Sequence, residues 1–239
     1  MEPRILGEAA GLVFVWKPPG MPVYPLEHDV PGSPSLLGAV RALLPASQAE
    51  SWPKGFEGGI AHRLDNGTSG LVVVAGNLDA LDRFRGDLAA RRVIKTYRFV
   101  TDRTVPWQEH VTDVPLGHDR HRRGRMVPRR GAATPHRGRW YEARTWFRRL
   151  GPFTWEARIR TGVTHQVRLH AAWVGLALTG DRAYGGHPFP EDLADRLGHP
   201  PVPFLLHHIG DVGPGWTSPE APLPAVWDTV VGRLGGGQG

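Results

Sequence analysis

Asp65 is the residue best placed to do chemistry. It sits in His62-Arg63-Leu64-Asp65-Asn66-Gly67-Thr68-Ser69-Gly70-Leu71-Val72-Val73-Val74, a polar turn that opens through Ser-Gly into an apolar, β-branched run. Such a run reads as a buried strand. A carboxylate at the mouth of a buried strand stays ionised only if it is paired or hydrogen-bonded. The residues alone allow two readings. One is a turn aspartate that bonds its own backbone. The other is a working carboxylate, used as a nucleophile or a base.

Other segments bear on the choice. Val13-Phe14-Val15-Trp16-Lys17-Pro18-Pro19-Gly20-Met21-Pro22-Val23 contains a strand followed by a Lys-Pro-x-Gly loop. Lys95-Thr96-Tyr97 is a Lys-x-Tyr element, and Thr161-Gly162-Val163-Thr164-His165-Gln166-Val167-Arg168-Leu169-His170 is Thr-Gly-x-x-His-Gln-x-Arg-x-His. Gly180-Asp181-Arg182-Ala183-Tyr184-Gly185 and Leu205-Leu206-His207 complete the series. Each segment is short, and their order in one chain is what is specific. Together with the Asp65 turn they resemble the RluA-type pseudouridine synthases, which isomerise uridine in ribosomal or transfer RNA. The resemblance runs over residues 12 to 227.

That resemblance implies an α+β fold, with a large, mainly antiparallel mixed sheet, flanking helices and a central catalytic cleft with Asp65 at its floor. It implies that Asp65 is the catalytic carboxylate and that Arg168 is the cation that keeps it ionised. Tyr97 would stack on the uracil and carry its hydroxyl to the ring for proton transfer. The target uridine would be flipped out of its stack, with Arg63 filling the gap or meeting a phosphate. His62, Thr68, His165 and Leu206 fall among the expected substrate and RNA contacts. The reaction breaks a C–N bond and forms a C–C bond at the same sugar carbon, so no cofactor is expected. The family commonly has a basic residue where Val163 stands, a departure that bears on RNA affinity. A non-catalytic RNA-binding or RNA-folding protein on the same fold is the alternative. A glycosidase would need a second acid opposite the first, and the match supplies none.

The elements that must position these groups are readable in part. Residues 12–16 and 93–100 read as strands, the second carrying Tyr97. Ser35 to Leu44 reads as a short helix stopped by Pro45, with Leu36, Leu37, Val40, Leu43 and Leu44 at helical spacing. Residues 46–58 read as a surface loop. Asn77 can cap a helix presenting Leu78, Leu81, Phe84 and Leu88 on one face. Residues 101–138 read as irregular. Trp140–Phe147 and Phe153–Ile159 read as a hairpin, with Phe153, Trp155, Ala157 and Ile159 inward and Thr154, Glu156, Arg158 and Arg160 outward. His165–Val174 reads as a helix. Asp181 after Gly180 reads as a turn cap. The expected organisation is one catalytic domain over residues 1–234 and a flexible tail over 235–239, with no small N-terminal S4-like RNA-binding domain.

Composition narrows the classes. The chain has 239 residues and no cysteine, which excludes disulfides, thiol catalysis and cysteine-bound zinc. The histidine spacings suit no metal site. Net charge is +6, and Lys17, Lys54 and Lys95 are the only lysines among 29 basic residues. Arginine suits phosphate forks and base stacking, so an anionic partner, RNA, is expected. Arg120, Arg122, Arg123, Arg125, Arg129, Arg130, Arg137 and Arg139 fall in one segment with few apolar residues, read as an RNA-backbone contact surface in which Arg122, Arg123 and Arg125 lead. With Glu2 and Glu8 and no long apolar region near the start, no secretory signal is expected, and no apolar run reaches membrane length. The expectation is a cytoplasmic monomer without an obligatory protein partner.

Overall fold

The structure, a computed structural model, describes residues 2–26, 30, 32–45, 49–197 and 202–236. In chain order the strands are β1 (Arg4–Ala9), β2 (Leu12–Lys17), β3 (Ser69–Ala75), β4 (Ile94–Val100), β5 (Glu109–Thr112) and β6 (Leu116–Asp119). They continue as β7 (Met126–Pro128), β8 (His136–Tyr141), β9 (Thr145–Arg149), β10 (Thr154–Ile159), β11 (Leu206–Gly213) and β12 (Trp216–Thr217). The helices are α1 (Leu36–Leu43), α2 (Leu78–Ala89), α3 (Gln166–Trp173) and α4 (Val226–Gly236). Strand pairing is mainly antiparallel, and the class is α+β. The chain forms two compact units, one of Met1–Lys95 with His207–Pro224, the other of Thr96–Leu206 with Ala225–Gly239. Among the described residues no helix is long and apolar enough to cross a membrane.

In the first unit β2 lies between β1 and β3 and runs antiparallel to both. β11 joins the far side of β3 in parallel, with His207 opposite Ser69 and His208 opposite Gly70. Every residue of β2 and β3 is buried, as their unbroken apolar runs require. Gly70 has φ +113, and a Cβ there would collide with the His208 carbonyl. Only glycine lets the two strands approach at that point. α1 is capped by Ser35, whose Oγ accepts the Gly38 N–H, and α2 by Asn77, whose Oδ1 accepts the Ala80 N–H at 2.9 Å. Ala80, Leu81 and Phe84 of α2 pack on Leu12, Phe14, Trp16, Leu71 and Val73. Leu43 and Leu78, expected on the buried faces, are exposed. Each lies in a terminal turn, beyond the reach of the sheet.

In the second unit the strands follow the spatial order β4, β10, β9, β5. β9 and β10 form the expected hairpin, with Phe147 opposite Ala157. Trp140 and Tyr141 do not belong to it. They end β8, which pairs with β6 in a separate three-stranded sheet ordered β7-β6-β8. Residues 101–138 are therefore not irregular, since they hold β5, β6, β7 and the start of β8. Trp155, Ala157 and Ile159 are buried as expected, but Glu156, on the opposite face of the strand, is buried too. Its carboxylate is met by Arg148 at 3.2 Å and Arg158 at 2.9 Å, which offsets its desolvation. β1 and α4 are elements that the sequence reading did not contain. α4 runs through Gly236, and the rest of the expected tail, 237–239, lies outside the described residues, as does 46–48 of the expected loop.

Candidate active site

The Asp65 turn belongs to the first unit. Its entry is tied to β3 where the Ala61 N–H donates to Val73 O at 2.9 Å. The turn closes on itself when the Thr68 N–H donates to the Asp65 carbonyl at 3.0 Å. Its tip is held from β2 and the loop after it. The Asn66 carbonyl accepts from the Gly20 N–H at 2.8 Å and from Lys17 Nζ at 3.2 Å. Lys17 is wholly buried and also donates to Met21 O and Pro18 O, at 2.7 and 3.0 Å. Burial lowers its pKa to about 7, against the opposing pull of Asp65. The Lys-Pro-x-Gly segment thus brings a buried cation to the turn that carries Asp65. Asp65 itself is half-buried, Thr68 is buried and Arg63 is exposed. Arg63 lines a cleft of about 490 Å³ with Tyr24, Lys54, Phe56, Glu57 and His62.

His62 also turns inward. Its Nε2 accepts the Val73 N–H at 3.1 Å, and its ring meets His208 edge-on with centroids 5.6 Å apart. His208 Nδ1 lies 2.6 Å from Leu71 O and its Nε2 2.8 Å from Asp211 Oδ1. Both ring nitrogens therefore face acceptors. Burial, then Lys95, push His62 well below the usual histidine range. Burial pushes Asp211 up, but His208, Lys95 and His62 outweigh it and its pKa falls. The donor atoms of His62, His208 and Asp211 all lie within 4.8 Å of one another, the spacing of a metal site. The hydrogen bonds argue for another use. With Nε2 of His62 accepting, its Nδ1 carries the ring proton and is no ligand. The cluster instead fastens the approach to the Asp65 turn onto β3 and β11.

The second unit holds Arg168. Its Nε donates to Asp181 Oδ2 at 2.7 Å and a terminal nitrogen to Asp181 Oδ1 at 2.8 Å, a bidentate and buried pair. The guanidinium also lies over the rings of Phe204 and Tyr184, 4.2 and 5.0 Å from their centroids. Asp181 precedes a 3-10 turn over Arg182–Tyr184 but makes no side-chain cap there, so its work is to hold Arg168. Gly180 before it has φ +89, and a Cβ would strike Phe189 and the Pro203 carbonyl.

The surrounding motif divides into scaffold and functional candidates. Gln166 Oε1 accepts from Thr161 Oγ1 at 2.8 Å and the Val163 N–H at 3.2 Å, and its Nε2 donates to Arg144 O at 3.0 Å. His170 bridges Thr145 and Val114 O. These two residues shape the loop and seat α3. His165, at the helix entry, has φ 57, an uncommon left-handed conformation for a residue other than glycine. Val163, where the family commonly has a basic residue, is half-buried and packs against the cluster of Leu116, Met126, Leu169 and Tyr184. Its side chain serves the core.

Tyr97 lies buried on β4 and Leu206 buried at the head of β11. Arg122 and Arg123 are exposed in the β6–β7 turn and Arg125 is half-buried at its end. That turn is built, since Asp119 Oδ1 accepts the N–H groups of His121 and Arg122 at 2.8 and 3.2 Å. The first unit thus gathers His62, Arg63, Asp65 and Thr68 in one segment over Lys17. In the second, Arg168, His165 and Arg125 converge on Tyr184. Lys17, Asp181, Tyr184 and Asp211 were not among the candidate residues read from the sequence. The first three stand in motifs that the sequence displayed. Asp211 carried no signal beyond its place after the His207-His208 pair.

A family model described as RNA pseudouridylate synthase matches residues 11–173. The chain is 34% identical over 226 residues to an RNA pseudouridine synthase of Chloroflexus aurantiacus, covering 91% of this chain and 65% of that one. It is 34% identical over 190 residues to the ribosomal large subunit pseudouridine synthase D of Zymomonas mobilis, covering 76% and 56%. It therefore spans less than two thirds of the length of these relatives. Among solved structures, human RNA pseudouridylate synthase domain containing 4 superposes with a TM-score of 0.69 at 22% identity, over 96% of this chain and 92% of that one, and shares the fold. With a family match over most of its length, the chain belongs to the RNA pseudouridylate synthase family.

Proposed function

We propose that this chain isomerises uridine to pseudouridine in structured RNA. The observation that carries the reading is the Asp65 turn: a half-buried aspartate whose own carbonyl and that of Asn66 are both hydrogen-bonded, the second by the Gly20 N–H and the buried Lys17 ammonium. A carboxylate so fixed, in a chain of this family, suits attack on the sugar or the uracil ring. The glycosidic bond breaks, the base turns, and carbon 5 replaces nitrogen 1 on the sugar. Carbon 5 gives up a proton and nitrogen 1 takes one up, so the isomerisation is proton-neutral, and the Tyr97 hydroxyl is the proposed group that relays protons at the ring. Arg168 is the proposed catalytic cation, and the bidentate hold of Asp181 fixes its orientation. Because bases cannot react inside a helix, the uridine is flipped, and Arg63 takes up the space or a phosphate. His62, Thr68, His165 and Leu206 complete the proposed substrate surround, and Arg122, Arg123 and Arg125 meet the backbone. Ribosomal RNA is the favoured substrate, by analogy with the Zymomonas relative. The test is pseudouridine mapping in RNA from cells with and without the gene, complemented by wild type or Asp65→Asn. A pseudouridine that disappears with the gene and returns only with Asp65 intact is expected. Identical maps would sink the proposal.

A further inference from the structure

We propose that Tyr184 is a positioning residue that couples the arginine-bearing β6–β7 hairpin to Arg168, so that RNA engagement on the hairpin is felt at the catalytic arginine. The inference rests on the reading above that Arg168 serves the reaction.

Four contacts converge on this one side chain. Its Oη accepts the Met126 N–H at 3.1 Å and lies 2.7 Å from His165 Nδ1. The His165 tautomer sets which of the two donates in the second bond. One oxygen therefore ties β7 to the residue that opens α3. The ring is shared in the same way. The Arg125 guanidinium lies 5.4 Å from its centroid and the Arg168 guanidinium 5.0 Å. One ring thus carries both a cation of the hairpin and the cation assigned to the reaction.

The pieces around Tyr184 are stiff. Asp181, three residues earlier, clamps Arg168, and the Tyr184 N–H donates to the Asp181 carbonyl at 3.1 Å. His165 is kept in a left-handed backbone state at the mouth of α3. Arg125 is the more accessible of the two arginines, half-buried at the end of an exposed turn, whereas Arg168 is buried. A phosphate that engages Arg125 anchors the end of the hairpin beside Met126, whose N–H holds the Tyr184 hydroxyl and, through that oxygen, the entry of the helix that carries Arg168. A phosphate contact thereby sharpens the placement of Arg168, which is an effect on turnover and not only on affinity.

The experiment measures tritium released from carbon 5 in [5-³H]uridine-labelled total RNA from cells lacking the gene. Arg125→Met, Tyr184→Phe and the double variant are compared in kcat and KM. Arg125→Met should lower kcat as well as raise KM. Tyr184→Phe should lower kcat by about tenfold to a hundredfold, the usual cost of a misplaced catalytic group. In the Tyr184→Phe background Arg125→Met should cost KM only, a coupling that a double-mutant cycle isolates. Equal kcat losses for Arg125→Met in both backgrounds would overturn the coupling. So would an Arg125→Met variant that changes KM alone, a result readable even if Tyr184→Phe folds poorly. No tritium release by the unsubstituted chain would overturn the underlying reading, and the relay with it.

Discussion

Lys17 and Asn66 are joined by a hydrogen bond of 3.2 Å, from a wholly buried ammonium to the carbonyl next to Asp65. Burial has pulled the lysine down to about 7, whereas it titrates near 10.5 when exposed. Between those values the unfolded chain holds a proton that the folded one has shed. Stability must therefore rise with pH across that window through this group, and level off below it. Urea unfolding of wild type and Lys17→Met from pH 7 to 10 should show the difference, wild type minus variant, growing with pH. Parallel curves would mean that Lys17 titrates normally. The variant should also turn over slowly, because the tip of the Asp65 turn loses a tether.

Asp65→Asn should abolish pseudouridine formation while leaving the melting temperature and RNA affinity close to wild type. The swap is nearly isosteric and removes the charge and nucleophilicity. Turnover within about tenfold of wild type, far less than loss of a nucleophile normally costs, would reassign the residue.

Tyr97→Phe should slow turnover strongly and leave binding intact. The ring can still stack, and only the hydroxyl is lost. Full activity in Tyr97→Phe with none in Tyr97→Ala would make Tyr97 a stacking platform and remove its proton-transfer role.

Neutralising Arg122, Arg123 and Arg125 together should flatten the salt dependence of RNA binding. Each lost phosphate contact reduces the logarithmic slope by roughly 0.7 to 0.9. Titrations from low to moderate salt decide the matter, and an unchanged slope would leave the hairpin turn facing solvent alone.

Val163→Arg tests the departure from the family's usual basic residue. Were position 163 turned to the RNA, an arginine there would add a contact. The valine instead packs on Leu116, Met126, Leu169 and Tyr184. Forcing a guanidinium into that cluster should destabilise the chain by about 1–3 kcal/mol, in the range of overpacked or polar-burdened cores. A melting temperature at or above that of wild type, together with tighter RNA binding, would show that the arginine swings out.

Legibility followed the physics of each segment. α2 was readable because Asn77 announces the cap and Leu81 and Phe84 the buried face. β3 was readable because both of its faces are buried and every residue is small or apolar. β8 was not, because five of its six residues have polar or charged side chains or none, and no alternation survives. α4 was not, because Gly232, Gly235 and Gly236 lower helix propensity, while Trp227 and Val230 hold it in place by burial. At the site, the Asp65 turn and Arg168 stood out through their motifs. The partner of Arg168 did not, since Asp181 is 13 positions away and only the fold brings them together. Glu156 misled for a related reason, because its two arginine partners are met across a hairpin and along a strand.

The parallel pairing of β11 with β3 has a kinetic consequence. Ser69 and His207 are hydrogen-bonded at 2.8 Å across 138 positions of chain. A ribosome therefore releases β3 long before the strand that completes its sheet. Until residue 207 emerges, the start of β3 at Ser69 and Gly70 lacks its partner strand, and an open edge beside an apolar strand is the kind of surface that seeks other chains. Closing so long a loop costs little more than closing a short one, since the entropy grows only as the logarithm of length. The delay is one of synthesis and search, in keeping with the slow folding of non-local topologies. Nascent chains arrested before residue 207 should bind holdase chaperones, and those arrested well beyond it should let go. The Asp65 turn, hung on β3, is then among the last parts of the molecule to become rigid.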